Sequence, residues 1–306
     1  MARAAELSDV VSKPVLHDQA RAKVNLTLRV LSRRVDGYHE LESVVAFADC
    51  ADRLTLQPGP QLSLSATGPR VAECGDTADN LVIKAARLLG ERVPDLRSGE
   101  FALDKQLPIA AGIGGGSADA AAALRLLARA NDLALDDPRL IDAARKTGAD
   151  VPVCLASTPC IMTGIGENLL PLALPTLPVV MVNPRVAVAT KDVFAALGLR
   201  NGQLRVGVAD VVAAPKWPDK DAPLDAWIAV LGAGTNDLEA PAKKLQPVIG
   251  EVLKLLGAAP GARLARMSGS GATCFGIFAH AAEADAAARA IATAHPGWWV
   301  HAGTLS

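Results

Sequence analysis

A run of glycines followed by an alanine-rich segment constrains this chain more than any other feature. The run is Pro108-Ile109-Ala110-Ala111-Gly112-Ile113-Gly114-Gly115-Gly116-Ser117. Residues 118–130 predict a helix that begins at Ser117, a favourable N-cap residue, with Asp119 in its first turn. Glycines let backbone N–H groups surround an anion, and a helix N-terminus adds aligned donors. The segment therefore predicts an anion site, with a flexible loop before a helix as the alternative.

Two common nucleotide motifs do not fit this glycine loop. No Lys-Ser or Lys-Thr pair follows the glycines, so the segment is not a Walker A loop. After Gly112 and Gly114, Ser117 stands where the dinucleotide motif GxGxxG has its last glycine. The loop therefore indicates an anion site of another kind, and by itself it leaves the flexible-loop alternative open.

Strand and helix patterns are mixed along the chain, without an internal repeat. Strands are predicted at 22–30, 43–48, 53–57, 61–65, 101–104, 179–183, 262–267, 273–278 and 298–302, from alternating or short apolar runs. Helices are predicted at 80–89, 138–148, 191–197 and 282–294. The mixture indicates an α+β protein of two domains, 1–160 and 161–306, with residues 1–20 as a loose leader.

Three polar residues are candidates for chemistry. Lys23 and Asn25 are two residues apart on a predicted strand, so both side chains lie on one face. Asp150 follows the helix predicted at 138–148, and the proline after Val151 favours an extended Val151, which gives a short, stiff connection. Phosphoryl transfer to an alcohol uses a base and a cation near the developing charge. Each residue alone is also typical of a solvated surface charge.

Aromatic residues are scarce, which makes a few of them candidates for ligand binding. Tyr38 is the only tyrosine, follows a predicted turn and precedes His39. An exposed Tyr-His pair can stack on a base and hydrogen-bond to it, with Phe194 as an opposite wall. Ordinary packing is the alternative. The turn 268–271 is either a lid over a ligand or a simple hairpin.

Composition excludes several classes of partner. The formal net charge is −1, so we expect neither nucleic acid nor an anionic membrane as a partner. The longest apolar stretch, 169–182, contains three prolines and is shorter than the roughly 20 residues of a membrane-spanning helix. Five cysteines without a CxxC pair favour a reducing compartment, and we expect a cytoplasmic protein. No histidine pair has metal-ligand spacing.

Several segments together resemble the GHMP kinase superfamily. Residues 108–121 resemble its phosphate-binding motif, 148–152 its catalytic-aspartate segment and 269–273 its C-terminal motif. Residues 22–26 and 34–41 resemble the N-terminal signature of the members that act on 4-diphosphocytidyl-2-C-methyl-D-erythritol. The similarity extends from about residue 22 almost to the C-terminus, and only the signature is specific to that substrate.

The resemblance implies a fold and an activity. The fold is the GHMP kinase arrangement, with an N-terminal domain like the second domain of ribosomal protein S5 and a ferredoxin-like C-terminal domain. The implied activity is ATP-dependent phosphorylation of the 2-hydroxyl of 4-diphosphocytidyl-2-C-methyl-D-erythritol, which gives the 2-phosphate and ADP. That reaction belongs to the non-mevalonate (methylerythritol phosphate) route to isoprenoid precursors.

The resemblance also implies roles for individual residues. Asp150 is the implied general base and Lys23 its electrostatic partner, while Asn25 orients this pair and the substrate. Tyr38 and Phe194 would sandwich the cytosine. The other implied substrate residues are His39, on the cytosine edge, and Thr190. The implied ATP-binding residues are Asn80, Lys105, Pro108, Ile109, Ala110, Ala111, Gly112, Ile113, Gly114, Gly115, Gly116, Ser117 and Ala118.

Some features leave alternatives open. Ala111 stands where the superfamily often has glycine, which is acceptable with a negative φ. Mg²⁺ is needed to neutralise ATP, but no acidic residue clearly matches the superfamily's magnesium ligand. A kinase for another alcohol, such as homoserine or mevalonate, would have no base to stack on Tyr38. A non-catalytic ligand-binding member would not need Lys23 and Asp150. The sequence does not give the oligomeric state.

Overall fold

The computed structural model describes residues 14–73, 79–205 and 216–306. The strands are β1 (Leu16–Asn25), β2 (Arg29–Arg33), β3 (His39–Gly59), β4 (Ser63–Thr67), β5 (Ser98–Asp104), β6 (Cys160–Gly164), β7 (Asn168–Pro171), β8 (Leu177–Asn183), β9 (Ala262–Met267), β10 (Cys274–Phe278) and β11 (Trp299–Leu305). The helices are α1 (Leu81–Gly90), α2 (Gly115–Ala130), α3 (Pro138–Thr147), α4 (Val151–Ala156), α5 (Thr190–Leu197), α6 (Leu224–Ala233), α7 (Glu239–Leu245), α8 (Val248–Ala258) and α9 (Ala281–Ala294).

The long strand β3 organises the first half of the molecule. It pairs antiparallel with β1, β2, β5 and β6, and at its middle Ala48 pairs with Leu305 of β11. Helices α1 to α4 pack on this sheet, and their apolar faces form a core with Phe47, Leu54 and Phe101. Two strands predicted separately at 43–48 and 53–57 are therefore parts of β3.

The second half is built on the antiparallel order β11-β8-β10-β9. Helices α5, α7, α8 and α9 contribute to the apolar core packed against these strands. A third apolar cluster contains residues of β1, β3, β8, β10 and α6, and it includes Ala111 and Ile113 of the glycine loop. Because the loop is anchored in this cluster, its position depends on both halves of the chain.

Three local predictions outside the glycine loop are wrong. Residues 16–20 of the predicted loose leader belong to β1, where Leu16 pairs with Leu56; residues 1–13 lie outside the described part. The predicted strand 22–30 is divided between β1 and β2. Val151 is not extended but is the first residue of α4, because Pro152 occupies an early helical position that needs no N–H donor.

The domain boundary stays a prediction in its exact position. Beyond residue 160, β6 pairs with β3 and β7 pairs with β6, so the first sheet continues to Pro171.

The helix predicted at 138–148 is confirmed as α3, with Gly148 directly after its last residue. Among the described residues, no helix is both long enough and apolar enough to cross a membrane.

Candidate active site

A cavity of about 550 Å³ lies between the glycine loop, β1, the start of α4 and α5. It brings together residues that are far apart in the sequence. The predicted site residues in its wall are Lys23, Asn25, Ala110, Ala111, Gly112, Gly114, Gly115, Gly116, Ser117, Asp150, Thr190 and Phe194. Gly269 and Ser270 of the turn between β9 and β10 complete the wall, so that turn borders a cavity and is more than a hairpin.

The glycine loop has the backbone that an anion cradle needs. Gly112 and Gly114 have positive φ values of 74° and 65°, and α2 begins immediately after Gly114. The predicted start of this helix at Ser117 is wrong: Gly114 is the N-cap, and Ser117 is the third helical residue. Ala110 has a φ of 50°, whereas Ala111 is not among the described residues with positive φ. The N–H groups of the first turn of α2 therefore face the cavity end of the loop.

Four hydrogen bonds hold the loop against β1, three of them through the turn between β9 and β10. The Thr273 N–H donates to Ala111 O at 3.1 Å, and the Lys23 N–H donates to Ile113 O at 2.9 Å. Buried Ser268 joins the two sides, since its Oγ donates to Gly112 O at 3.0 Å and accepts from the Asn25 N–H at 3.1 Å. Sequence analysis included Ser268 in the predicted turn 268–271 but did not predict that its hydroxyl joins the loop to β1.

Lys23 and Asp150 form an ion pair in the cavity. The Lys23 Nζ lies 2.9 Å from Asp150 Oδ2; the lysine side chain is 5% exposed and the aspartate side chain 36% exposed. Asp150 stands between α3 and α4, which fixes its backbone at two helix ends. The carboxylate thus combines a buried cationic partner with access to the cavity.

Asn25 presents an unused acceptor beside this pair. Its Nδ2 donates to Ser43 Oγ at 2.7 Å, which fixes the orientation of the amide. Its Oδ1 is buried and has no hydrogen-bond partner among the described residues. A buried oxygen without a donor is costly in a folded protein, so this atom fits a ligand hydroxyl.

The predicted aromatic site has a different arrangement from the one expected. The His39 ring stacks on Phe194 with centroids 4.3 Å apart, whereas Tyr38 is 59% exposed. His39 Nε2 is buried without a partner in the described part of the chain. Burial lowers the pKa of His39, and the charge of Arg33 lowers it further. The sandwich of a base between Tyr38 and Phe194 stays a prediction.

Thr190 lies at the first turn of α5, and Phe194 lies one turn later on the same helix. The Thr190 Oγ1 is 2.9 Å from Ser270 Oγ, so α5 is tied to the turn that borders the cavity. Both residues border the larger cavity, and their contact with the substrate stays a prediction.

A second cavity of about 200 Å³ adjoins the loop and contains four more of the predicted ATP-binding residues, whereas Ile113 and Ala118 are buried and lie in the wall of neither cavity. Its wall includes Asn80, Lys105, Pro108 and Ile109. Asn80 is the N-cap of α1 and accepts from the Val82 N–H at 2.9 Å. Lys105 is 3% exposed and is bound by two buried carboxylates, described below.

The described side chains do not provide a ready metal site. No group of three or more His, Cys, Asp or Glu residues in the described ranges is placed to hold an ion. Mg²⁺ typically binds through one or two carboxylates together with substrate phosphates and water. The described residues therefore identify no protein ligand for Mg²⁺.

Comparison with known proteins identifies the class of protein. Residues 80–158 match the model of the GHMP kinases N-terminal domain, and residues 224–297 match that of the GHMP kinases C-terminal domain. The chain belongs to the GHMP kinase family, and it is an ATP-dependent small-molecule kinase. The predicted α+β GHMP kinase fold is confirmed.

Individual relatives are more specific. A 4-diphosphocytidyl-2-C-methyl-D-erythritol kinase of Rhodopseudomonas palustris strain BisB18 is 88% identical over 305 residues and covers 100% of both chains. The kinase of the same name from strain BisA53 is 75% identical, over 98% of this chain and 100% of that one. A crystal structure of 4-(cytidine 5'-diphospho)-2C-methyl-D-erythritol kinase is 35% identical, covers 95% of this chain and 99% of its own, and has a TM-score of 0.73.

Proposed function

We propose that this chain transfers the γ-phosphoryl group of ATP to the 2-hydroxyl of 4-diphosphocytidyl-2-C-methyl-D-erythritol, in the route to isoprenoid precursors. The main support for phosphoryl transfer is the Lys23–Asp150 ion pair, whose Nζ and Oδ2 atoms are 2.9 Å apart in a cavity that the glycine loop also borders. The identity of the alcohol is supported by the relative that is 88% identical over the whole chain.

Each side chain has a task in this reaction. The loop and the first turn of α2 hold the ATP phosphates through backbone N–H groups. The oxygen of the substrate's 2-hydroxyl bonds to the γ-phosphorus, and the bond between this phosphorus and ADP breaks. Asp150 accepts the proton that the hydroxyl loses. Lys23, whose Nζ lies 2.9 Å from Asp150 Oδ2, holds this carboxylate in place and stabilises the negative charge that develops on the hydroxyl oxygen. Asn25 Oδ1 accepts a hydrogen bond from a substrate hydroxyl.

The cytidyl end of the substrate occupies the aromatic region. We place the cytosine between Tyr38 and Phe194, which requires the His39 ring to leave the Phe194 face. His39 then uses its unpartnered nitrogen on the cytosine edge. A neutral imidazole suits this task, because one ring nitrogen donates and the other accepts.

Two other functions explain the site less well. A homoserine or mevalonate kinase would have no use for an exposed Tyr38 or for a His39 ring stacked on Phe194 of the cavity wall, since those alcohols carry no base. A non-catalytic binding protein would have no use for the Lys23–Asp150 pair. The pair and the aromatic residues together favour the cytidyl substrate.

A coupled assay of ADP release tests the proposed function directly. We expect ADP release with the cytidyl alcohol, and only background release with homoserine or mevalonate at equal concentration. ADP release with one of the latter and none with the cytidyl alcohol would contradict the proposal.

Replacing Tyr38 by alanine tests the position of the cytosine. We expect the KM for the cytidyl alcohol to rise about tenfold, because base stacking on an aromatic ring is worth roughly 1–3 kcal/mol. The KM for ATP should not change. Val35→Ala is a matched control, since Val35 is on the same hairpin and is 84% exposed. A rise only in the KM for ATP would remove Tyr38 from the cytosine site.

A further inference from the structure

Three buried charged groups lie directly beneath the glycine loop. The Lys105 Nζ donates to Asp52 Oδ2 at 2.5 Å and to Asp119 Oδ2 at 2.6 Å. All three side chains are at most 4% exposed. A Cβ placed on Gly115, the first residue of α2, would be 3.4 Å from Lys105 Nζ and 3.9 Å from Asp52 Oδ2. The cluster thus lies under the residue where α2 begins.

The cluster connects both ends of the loop to β3. Asp52 Oδ1 accepts from the N–H groups of Gln106 at 2.6 Å and Leu107 at 2.8 Å, at the entry to the loop. Asp119 lies on α2, after the exit from the loop. Lys105 bridges the two carboxyl groups, so the cluster holds the loop at its entry and its exit.

The two carboxyl groups are not equivalent. Asp52 receives hydrogen bonds on both oxygens, two from backbone N–H groups and one from Lys105. Asp119 receives one on Oδ2, while its buried Oδ1 has no partner among the described residues. Two carboxylates and one ammonium would carry a net charge of −1 in a dry site, which is unfavourable unless one carboxyl is protonated. The hydrogen bonds stabilise the charge on Asp52, so the proton belongs on Asp119.

We propose that Asp52, Lys105 and Asp119 form a positioning cluster that holds one proton on Asp119 and is therefore neutral when the loop binds ATP. Burial raises the pKa of Asp119 to about 7, and the Asp52 charge opposes the lowering effect of Lys105. The negative charge of the ATP phosphates bound by the loop would further disfavour loss of the proton from Asp119. This inference rests on the proposal that the glycine loop holds ATP.

Two charges act on Asp119, and both belong to the cluster: Lys105 lowers its pKa and Asp52 raises it. Helix α2 contacts α1, α3, α4, β1, β3 and β5. These elements carry other titratable residues, including Lys84 and Arg87 on α1, Arg139, Asp142, Arg145 and Lys146 on α3, Cys154 on α4, His17, Asp18, Arg21 and Lys23 on β1, and Glu100 and Asp104 on β5. Burial raises the pKa of Cys154 to about 12, so this thiol is not the group that titrates near pH 7.

Calorimetric titration with ATP, without the alcohol, tests this cluster independently of the acceptor. As pH rises through about 7, Asp119 loses its proton and the cluster becomes negative. We expect the Kd of the wild type for ATP to rise at least about tenfold from below to above this pH, since a charge a few ångströms from phosphate is weakly screened. In D119N this rise of the Kd with pH should be absent. The control variant D136N should keep the wild-type rise, because Asp136 is exposed and Asp119 is unchanged in it.

Two further measurements make the test decisive. Difference infrared spectroscopy should find a protonated carboxyl band near neutral pH that D119N lacks and D136N retains. D52N should raise the Kd for ATP at every pH while thermal unfolding confirms that it is folded. A wild-type pH profile preserved in D119N, or the absence of the infrared band from the wild type, would overturn the proposal. If the ATP titrations and the infrared band are as expected but the wild type releases no ADP with the cytidyl alcohol, the result contradicts the proposed function and not the cluster.

Discussion

Asp150→Asn should lower kcat by at least about 10²-fold, the low end of the effect of a general base. Asparagine cannot accept the hydroxyl proton, but its amide oxygen can still accept from Lys23, whose Nζ lies 2.9 Å from the carboxylate. The fold and the loop should therefore be preserved. Steady-state kinetics should show a large fall in kcat with little change in the KM for ATP.

The control for this change is an exposed aspartate of the same region. Asp136→Asn, just before α3, should leave kcat and both KM values at their wild-type levels. Near-normal turnover in Asp150→Asn would exclude Asp150 as the base. Equal losses in kcat and in ATP affinity would point instead to a general disturbance of the cavity.

Gly112→Ala should have the second large effect, on both stability and ATP binding. Gly112 has a φ of 74°, and a Cβ there would lie 2.5 Å from Ser268 O and 2.7 Å from Gly271 O. These are backbone atoms of the turn that holds the loop, so the contact cannot be relieved by rotating a side chain. We expect the free energy of unfolding to fall by more than about 3 kcal/mol and ATP affinity to fall at least about tenfold.

Gly198→Ala separates backbone strain from steric overlap. Gly198 has a φ of 80°, but a Cβ there would have no heavy atom within 4 Å. The free energy of unfolding of Gly198→Ala should therefore fall by only the roughly 1–2 kcal/mol expected for an alanine in the left-handed conformation, and its ATP affinity should not change. Denaturant unfolding and ATP titration of both variants provide the comparison. Equal effects of the two substitutions would show that the packing of the turn on the loop is unimportant.

Local sequence predicted the secondary structure near the site well, because its signals are short-range. The glycines before an Ala-rich helix and the proline at the start of α3 each act within a few residues. The N-cap of α2 was predicted three residues late, since Ser117 is a good N-cap but Gly114 adopts the left-handed conformation that ends the loop. The fold of α4 was missed because a proline inside the first turn resembles a helix stop.

The relation between residues of different segments could not be predicted in the same way. Lys23 and Asp150 are 127 positions apart, and Asp52 lies 53 positions before Lys105. Nothing in the apolar run around Asp52 indicates that its side chain caps the entry to the loop. The stacking of His39 on Phe194, in place of Tyr38, likewise depends on how the β2–β3 hairpin approaches α5.

The sequence by itself determined the glycine-rich backbone of the loop and the resemblance to a kinase superfamily, because both reside in contiguous residues. Only the tertiary structure decided which charges meet. It brought Lys23 to Asp150, and it placed two carboxyl groups around Lys105 beneath the loop. The physical reason is that burial and pairing set the energy of a charge, and both depend on neighbours that the packed sheets and helices bring together.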